Sequence, residues 1–187
     1  YITKADFSTL RGNMEEYTEK VIGQRSGRHV TIAHERVRSL QEVVIANFLY
    51  MNNIEYIYEK TYPYNILRSH KPYTPDFTIT QGDKVAYIEH FGITEDGRHN
   101  RYTKEQLTLY KKEINDKILL HRQHDTDLIY TFSAYNDGKD LLVHLHDELI
   151  LHGFELNKRP SKEIFEKIVS TEENKYIARL VKLVCTF

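Results

Sequence analysis

Apolar residues recur along this chain with two periods, and the switches between them mark out its elements. Ser39-Leu-Gln-Glu42 has the N-cap and N3-glutamate spacing of a capping box, and Val43, Ile45, Ala46, Phe48 and Leu49 follow it. That pattern predicts a helix that is apolar on most of its surface and ended by Asn52-Asn53. The period then falls to two. Residues 56–64 alternate tyrosines and an isoleucine with charged or small residues, the pattern of a half-buried strand. After a polar loop at 67–71, Tyr73-Thr-Pro-Asp76-Phe-Thr-Ile79 reads as a short strand entered through a proline. Gln81-Gly82-Asp83 is a hairpin turn, and residues 84–91 form a third, largely apolar strand. A loop at 92–100 leads to a long helix over 103–124 and a strand over 128–132. Helical patterns return at 139–152, 161–170 and from 171 onward, around a turn at 153–160. Ahead of all this, residues 1–38 are polar and mixed, with a helix expected near 14–23 and a Gly/Arg/Ser turn at 23–28. The order helix, three strands, helix, strand predicts an α/β core with helices against a mixed sheet.

Composition narrows the class. The 187 residues are 40% hydrophobic and 28% charged, enough for a single core with a small appendage. Twenty-six basic residues face 27 acidic ones, a net charge of −1, which disfavours coating nucleic acid by bulk charge and binding membranes through a polybasic surface. The charge is unevenly placed, however. Between Arg98 and Arg122, seven basic residues (Arg98, Arg101, Lys104, Lys111, Lys112, Lys117, Arg122) face three acids. Cys185 stands alone, which excludes an internal disulfide and a cysteine-rich zinc site and fits a reducing, cytoplasmic compartment. Apolar runs such as 43–51 fall well short of the roughly 18 residues of a spanning helix, so no membrane partner is expected. The chain opens on Tyr1 and stops at Phe187 inside an apolar-periodic stretch with no cap, so it is expected to be a domain of a larger protein.

Three carboxylates sit where burial alone would not put them. Asp76 lies between Pro75 and Phe77, Glu89 inside Tyr87-Ile-Glu-His-Phe, and Glu42 on the first turn of the most apolar helix. Buried carboxylates are costly unless paired, hydrogen-bonded or bound to a cation. Each alone reads as a strand-edge or capping residue. If the hairpin forms, though, Asp76 and Glu89 fall at neighbouring strand positions, and two hard oxygen ligands with room for water suit Mg²⁺ better than zinc. His144-x-His146 with His152 lacks a further ligand pair at metal-site spacing, and His90 alternates to the face opposite Glu89 as a packing histidine. Tyr56, Tyr58, Tyr62 and Tyr64 read as one strand face, with base stacking the sharper alternative.

Glu42, then Pro75-Asp76, then Glu89 in a third strand resembles the PD-(D/E)XK nuclease superfamily. Its core is a helix, a three-stranded meander, a helix and a strand. The longer wording is similar to the nuclease-like domain of superfamily 1 DNA helicases of the UvrD/helicase IV type. It lies in residues 39–49, in Ile54-Glu-Tyr-Ile-Tyr-Glu59, in 73–77 and in Tyr87-Ile-Glu-His-Phe-Gly-Ile93. The resemblance covers about residues 39–133. It implies a restriction-endonuclease-like core there, an N-terminal flank at 1–38, and C-terminal helices at 134–187 leading back into a helicase. It also implies metal-dependent hydrolysis of DNA in DNA processing or repair, in a parent protein that binds ATP. The family's strand lysine would stand two residues after Glu89, where this chain has Phe91. Residues 110–121 also resemble the subfamily, which moves the lysine role to Lys117 on the long helix. Gln106-x-x-x-Tyr110 is similar to a pattern of RecB-like nucleases.

These likenesses imply Glu42, Asp76, Glu89 and Lys117 as catalytic. Mg²⁺ or Mn²⁺ would be held by Asp76, Glu89 and the Phe91 backbone carbonyl. Glu42 would bind a second ion or support the first. Tyr110, Lys111, Lys112, His121, Arg98 and Arg101 are the expected DNA contacts, with His121 alternatively closing the helix end. The competing expectation is a catalytically inactive nuclease fold that binds DNA or braces the helicase, since a lost strand lysine is what decay would leave.

Overall fold

The computed structural model describes residues 22–23, 25–66 and 72–170, with Val169 described by its backbone alone. The expected helix near 14–23, except its last two residues, the loop at 67–71, and everything from 171 onward, Cys185 included, lie outside the described residues. The chain divides into two compact units, one ending at Asn53 and resuming at Asn157, the other spanning Ile54–Leu156. The boundaries expected at 38/39 and 133/134 do not coincide with that division. Among the described residues no helix is long and apolar enough to cross a membrane.

In the first unit, α1 (Leu40–Met51) starts as expected at Ser39, whose side chain accepts from the Glu42 N–H. The reciprocal half of the cap is displaced: Glu42 Oε2 accepts from Arg38 N at 3.1 Å, not from Ser39 N. Val43, Ile45, Ala46 and Leu49 are fully buried, and Asn47 Oδ1 accepts from Ile32 N at 2.8 Å.

The second unit holds one four-stranded sheet of β1 (Glu55–Tyr58), β2 (Phe77–Gln81), β3 (Lys84–Thr94) and β4 (Leu128–Ala134), in that order. β1, β2 and β3 run antiparallel as a meander, turning at Gly82 with φ +60°. β4 lies parallel to β3, which demands a crossover, and α2 (Lys104–Gln123) supplies it. α3 (Leu141–Leu151) then packs against β4, which is why residues beyond 133 belong with the sheet. The expected α/β class with a mixed sheet is present. α4 (Ser161–Val169) returns to the first unit.

β1 is shorter than the alternation suggested. Glu59 takes φ +49°, which ends the strand, yet Glu59 N–H reaches the Asp76 carbonyl and Tyr62 N–H the Tyr73 carbonyl. The segment after β1 therefore still holds the approach to β2. β3 is longer than expected and runs through Gly92 to Thr94.

Candidate active site

The alternation of β3 sorts its side chains onto two faces. Ala86 and Ile88 share one face with Ile129 of β4, all fully buried. The other face carries Tyr87, Glu89, Phe91 and Ile93, and α2 lies against it. Phe91, Ile93 and Ile114 form one apolar cluster with Leu107, Tyr110, Ile118 and Phe132. Tyr62, Tyr73 and Leu120 form a second, with Tyr87 and Ile66. Glu89 sits on β3 between these clusters, 1% exposed. Leu107, Tyr110, Ile114, Lys117 and His121 make the inward stripe of α2, and its last two members are polar where it passes the carboxylate.

Lys117 Nζ lies 2.6 Å from Glu89 Oε2, the carboxylate side chain being 2% exposed and the lysine 28%. The Tyr73 hydroxyl donates to the other oxygen, Oε1, at 2.6 Å, and its ring lies 5.5 Å from the Lys117 ammonium. Asp76 is buried one residue before β2. Continuing the Phe77↔Ile88 register by one step sets it opposite Glu89. Pro75 has no N–H for the next rung, and the His90 N–H donates to Asp76 Oδ2 at 2.7 Å. Both carboxylates act electrostatically on Tyr73 and on Tyr110, so they share one neighbourhood. Burial first, then the Glu89 charge, hold the Tyr73 hydroxyl far above the usual tyrosine range, keeping it a donor.

Behind Tyr73 runs a line of side chains with no counterpart in the sequence reading. His121 Nε2 lies 3.2 Å from the Tyr73 hydroxyl, His121 Nδ1 lies 2.8 Å from Thr126 Oγ1, and the Tyr62 hydroxyl lies 2.5 Å from Thr126 Oγ1. The single Tyr73 proton points at Glu89, so His121 Nε2–H must be the donor to Tyr73, and with the ring uncharged Nδ1 is the acceptor from Thr126, whose hydroxyl also lies 3.3 Å from the His121 carbonyl. This assignment needs a neutral imidazole. Burial, followed by the Lys117 and His124 charges, lowers its pKa to about 4. A tyrosine in an alternating stretch carries no sign that its hydroxyl will meet a threonine 64 residues away.

Two predictions arise here. Unfolded His121 takes up a proton below about pH 6.5 and the folded one only below about pH 4, so between them the unfolded state binds more protons. The stabilisation is complete above pH 6.5 and is lost as pH falls toward 4, a change of about 3 kcal/mol. Melting temperatures taken from pH 7.5 to 4.5 should fall more steeply for the native chain than for His121→Gln. Secondly, Tyr73→Phe removes a donor to a buried charge and strands His121 Nε2–H. It should cost about 2–3 kcal/mol in urea unfolding.

The other expected site residues are distributed as follows. Glu42 belongs to the first unit and is engaged at the start of α1. His90 faces away from Glu89 and reaches Thr131 Oγ1 at 2.9 Å, the packing role expected of it. The Phe91 carbonyl is misplaced for an ion at Asp76. Tyr87 N–H bonds the Asp127 carbonyl ahead of β4, so by alternation Glu89 and Phe91 turn their backbone groups to β4, and His90 turns its own to Asp76. His90 is thus the residue whose carbonyl shares the Asp76 side. His121, 1% exposed, is withdrawn from any phosphate, and the Tyr110 hydroxyl accepts from Gly92 N at 3.1 Å inside the sheet–helix contact. Gln106 caps α2 by accepting from Thr103 N at 2.9 Å. Arg98, Arg101, Lys111 and Lys112 are exposed, with Arg98 bonded to Asp96 at 2.6 Å.

No family model and no solved structure matches this chain. It is similar to the uncharacterized protein MJ1519 of Methanocaldococcus jannaschii, 25% identical over 144 residues, which cover 77% of this chain and 11% of that protein. The chain therefore spans little more than a tenth of the length of this curated relative.

Proposed function

We propose that the unit spanning Ile54–Leu156 carries a restriction-endonuclease-like active site of the PD-(D/E)XK type. In this reading it hydrolyses DNA phosphodiester bonds with Mg²⁺ or Mn²⁺. The observation that carries the reading is Lys117. β3 lacks the family's lysine, and an ammonium from α2 lies 2.6 Å from Glu89 in its place, beside a second buried carboxylate.

The donor set suits such an ion. Among the described residues no three His, Cys, Asp or Glu side chains gather as a metal cluster. Asp76, Glu89 and the His90 carbonyl would hold the ion with water or phosphate oxygens, all hard ligands, as Mg²⁺ prefers and zinc does not. When bound, the ion supplies charge neutralisation at a phosphate oxygen and a water of lowered pKa. The chain's own groups orient this chemistry. His90 N–H fixes Asp76, and Tyr73, backed by His121, fixes Glu89. Lys117 presents a cation to the negative charge that develops on the phosphate and orients the attacking water.

Glu42 as a supporting carboxylate, a helicase parent that binds ATP, a place in DNA repair and a cytoplasmic location rest on the family resemblance alone. The test is cleavage of single-stranded and duplex DNA with free ends by the purified chain, in Mg²⁺ or Mn²⁺ against a chelator. Metal-dependent cleavage supports the reading. Its absence on every substrate, here and in the longer protein, favours an inactive DNA-binding or bracing fold.

A further inference from the structure

We propose that the loop leading into α2 is a stacking platform for unpaired bases, so that the strand delivered to Asp76 and Glu89 is single. The use made of that strand rests on the nuclease reading, but its binding does not. Tyr102, just ahead of the first turn of α2, is 40% exposed. Its ring stacks on His99 with centroids 4.1 Å apart and planes at 27°. Its edge meets Tyr110 at 5.7 Å, and the Tyr110 hydroxyl accepts from Gly92 on β3, three residues past Glu89. A line of rings thus leads from the surface toward the carboxylates.

The platform is held in place before any ligand arrives. Arg101 N–H donates to His99 Nδ1 at 3.1 Å, and the Thr103–Gln106 capping box fixes the end of the loop. Exposed cations neighbour it along the chain. Arg101 and Lys104 are exposed on either side, and Lys111 lies across Gly97, where an added Cβ would come within 2.4 Å of Lys111 Cε. Gly97 has φ +77°, so glycine serves both the turn and this close approach. Cations on either side of one exposed ring in the chain match a phosphate backbone with free bases. Inside a duplex the base faces are already covered by stacking, whereas every unpaired base along a single strand has a face to offer.

The test is fluorescence anisotropy of the native chain at low salt in chelator, so that cleavage plays no part. The probes are an oligothymidylate, an abasic strand of equal length and a blunt duplex. The oligothymidylate should bind most tightly. Tyr102→Ala should weaken it by roughly five- to a hundredfold, leave the abasic strand unchanged, and Tyr102→Phe should retain the native affinity. Tyr102→Leu keeps the apolar bulk without the ring and reads the same loss should the alanine variant fail to fold. Equal affinity for the abasic strand, tighter binding of the duplex, an unchanged Tyr102→Leu, or no binding of any single strand overturns the proposal. Failure of metal-dependent cleavage would overturn the nuclease reading and leave this result standing.

Discussion

Asp76→Ala and Glu89→Ala should each lower Mg²⁺- or Mn²⁺-dependent DNA cleavage by at least about a thousandfold. On the proposed nuclease reading each removes one of the two carboxylates that would hold the ion, and a metal's contribution of several kcal/mol corresponds to tenfold for every 1.36 kcal/mol. The structural consequences differ between them. Asp76→Ala frees the His90 N–H now bonded at 2.7 Å, at a cost of about 1–3 kcal/mol. Glu89→Ala leaves Tyr73 without its acceptor, although Lys117, 28% exposed, can turn toward water. Glu89→Gln is the sharper variant, because an amide oxygen still accepts from Tyr73 while the ligand charge is gone. Single-turnover rates measured beside thermal melts separate lost chemistry from lost fold. If the variants cleave like the native chain, the carboxylate assignment fails.

The features readable from sequence are those set by local pattern. Ser39 with Glu42 announced α1, and Gln81-Gly82-Asp83 between two apolar runs announced the hairpin that pairs Phe77 with Ile88 and brings Asp76 beside Glu89. The spacing of Tyr110, Lys117 and His121 placed them on one face of α2. That face proved to be the one against the sheet. A lysine close enough to serve Glu89 must point inward, so Tyr110 and His121, which share its stripe, point inward too, while Lys111 and Lys112 of α2 stay outside with Arg98 and Arg101 of the preceding loop. The expected DNA contacts mixed these two sets. Features decided by tertiary partners stayed hidden. The end of β1 depends on a positive φ at Glu59, which no turn residue marks. Which carbonyl faces Asp76 depends on the side of β3 that β4 occupies, fixed by the Tyr87–Asp127 bond. The Tyr62–Thr126–His121–Tyr73 line joins segments far apart in the chain.

Lys117→Ala should destabilise the chain more than any surface change on α2. It leaves Glu89, its side chain 2% exposed, as a buried carboxylate that keeps the Tyr73 hydroxyl as a donor but has lost its cation. Breaking a buried pair from one side costs about 3–5 kcal/mol, and the partial exposure of Lys117 argues for the lower end. For a chain of this size that corresponds to a fall in melting temperature of roughly 6–12 °C. Glu89→Gln combined with Lys117→Met removes both charges and should recover much of the loss, since the penalty arises from an uncompensated charge. Metal response separates a site from a brace. If Asp76 and Glu89 together accept a divalent cation, that cation replaces the missing ammonium as the counter-charge. Millimolar Mg²⁺ should then raise the melting temperature of Lys117→Ala by more than it raises that of the native chain. A brace in which Glu89 serves Lys117 alone gives the same destabilisation with no response to Mg²⁺ in either protein, and that result would sink the metal site.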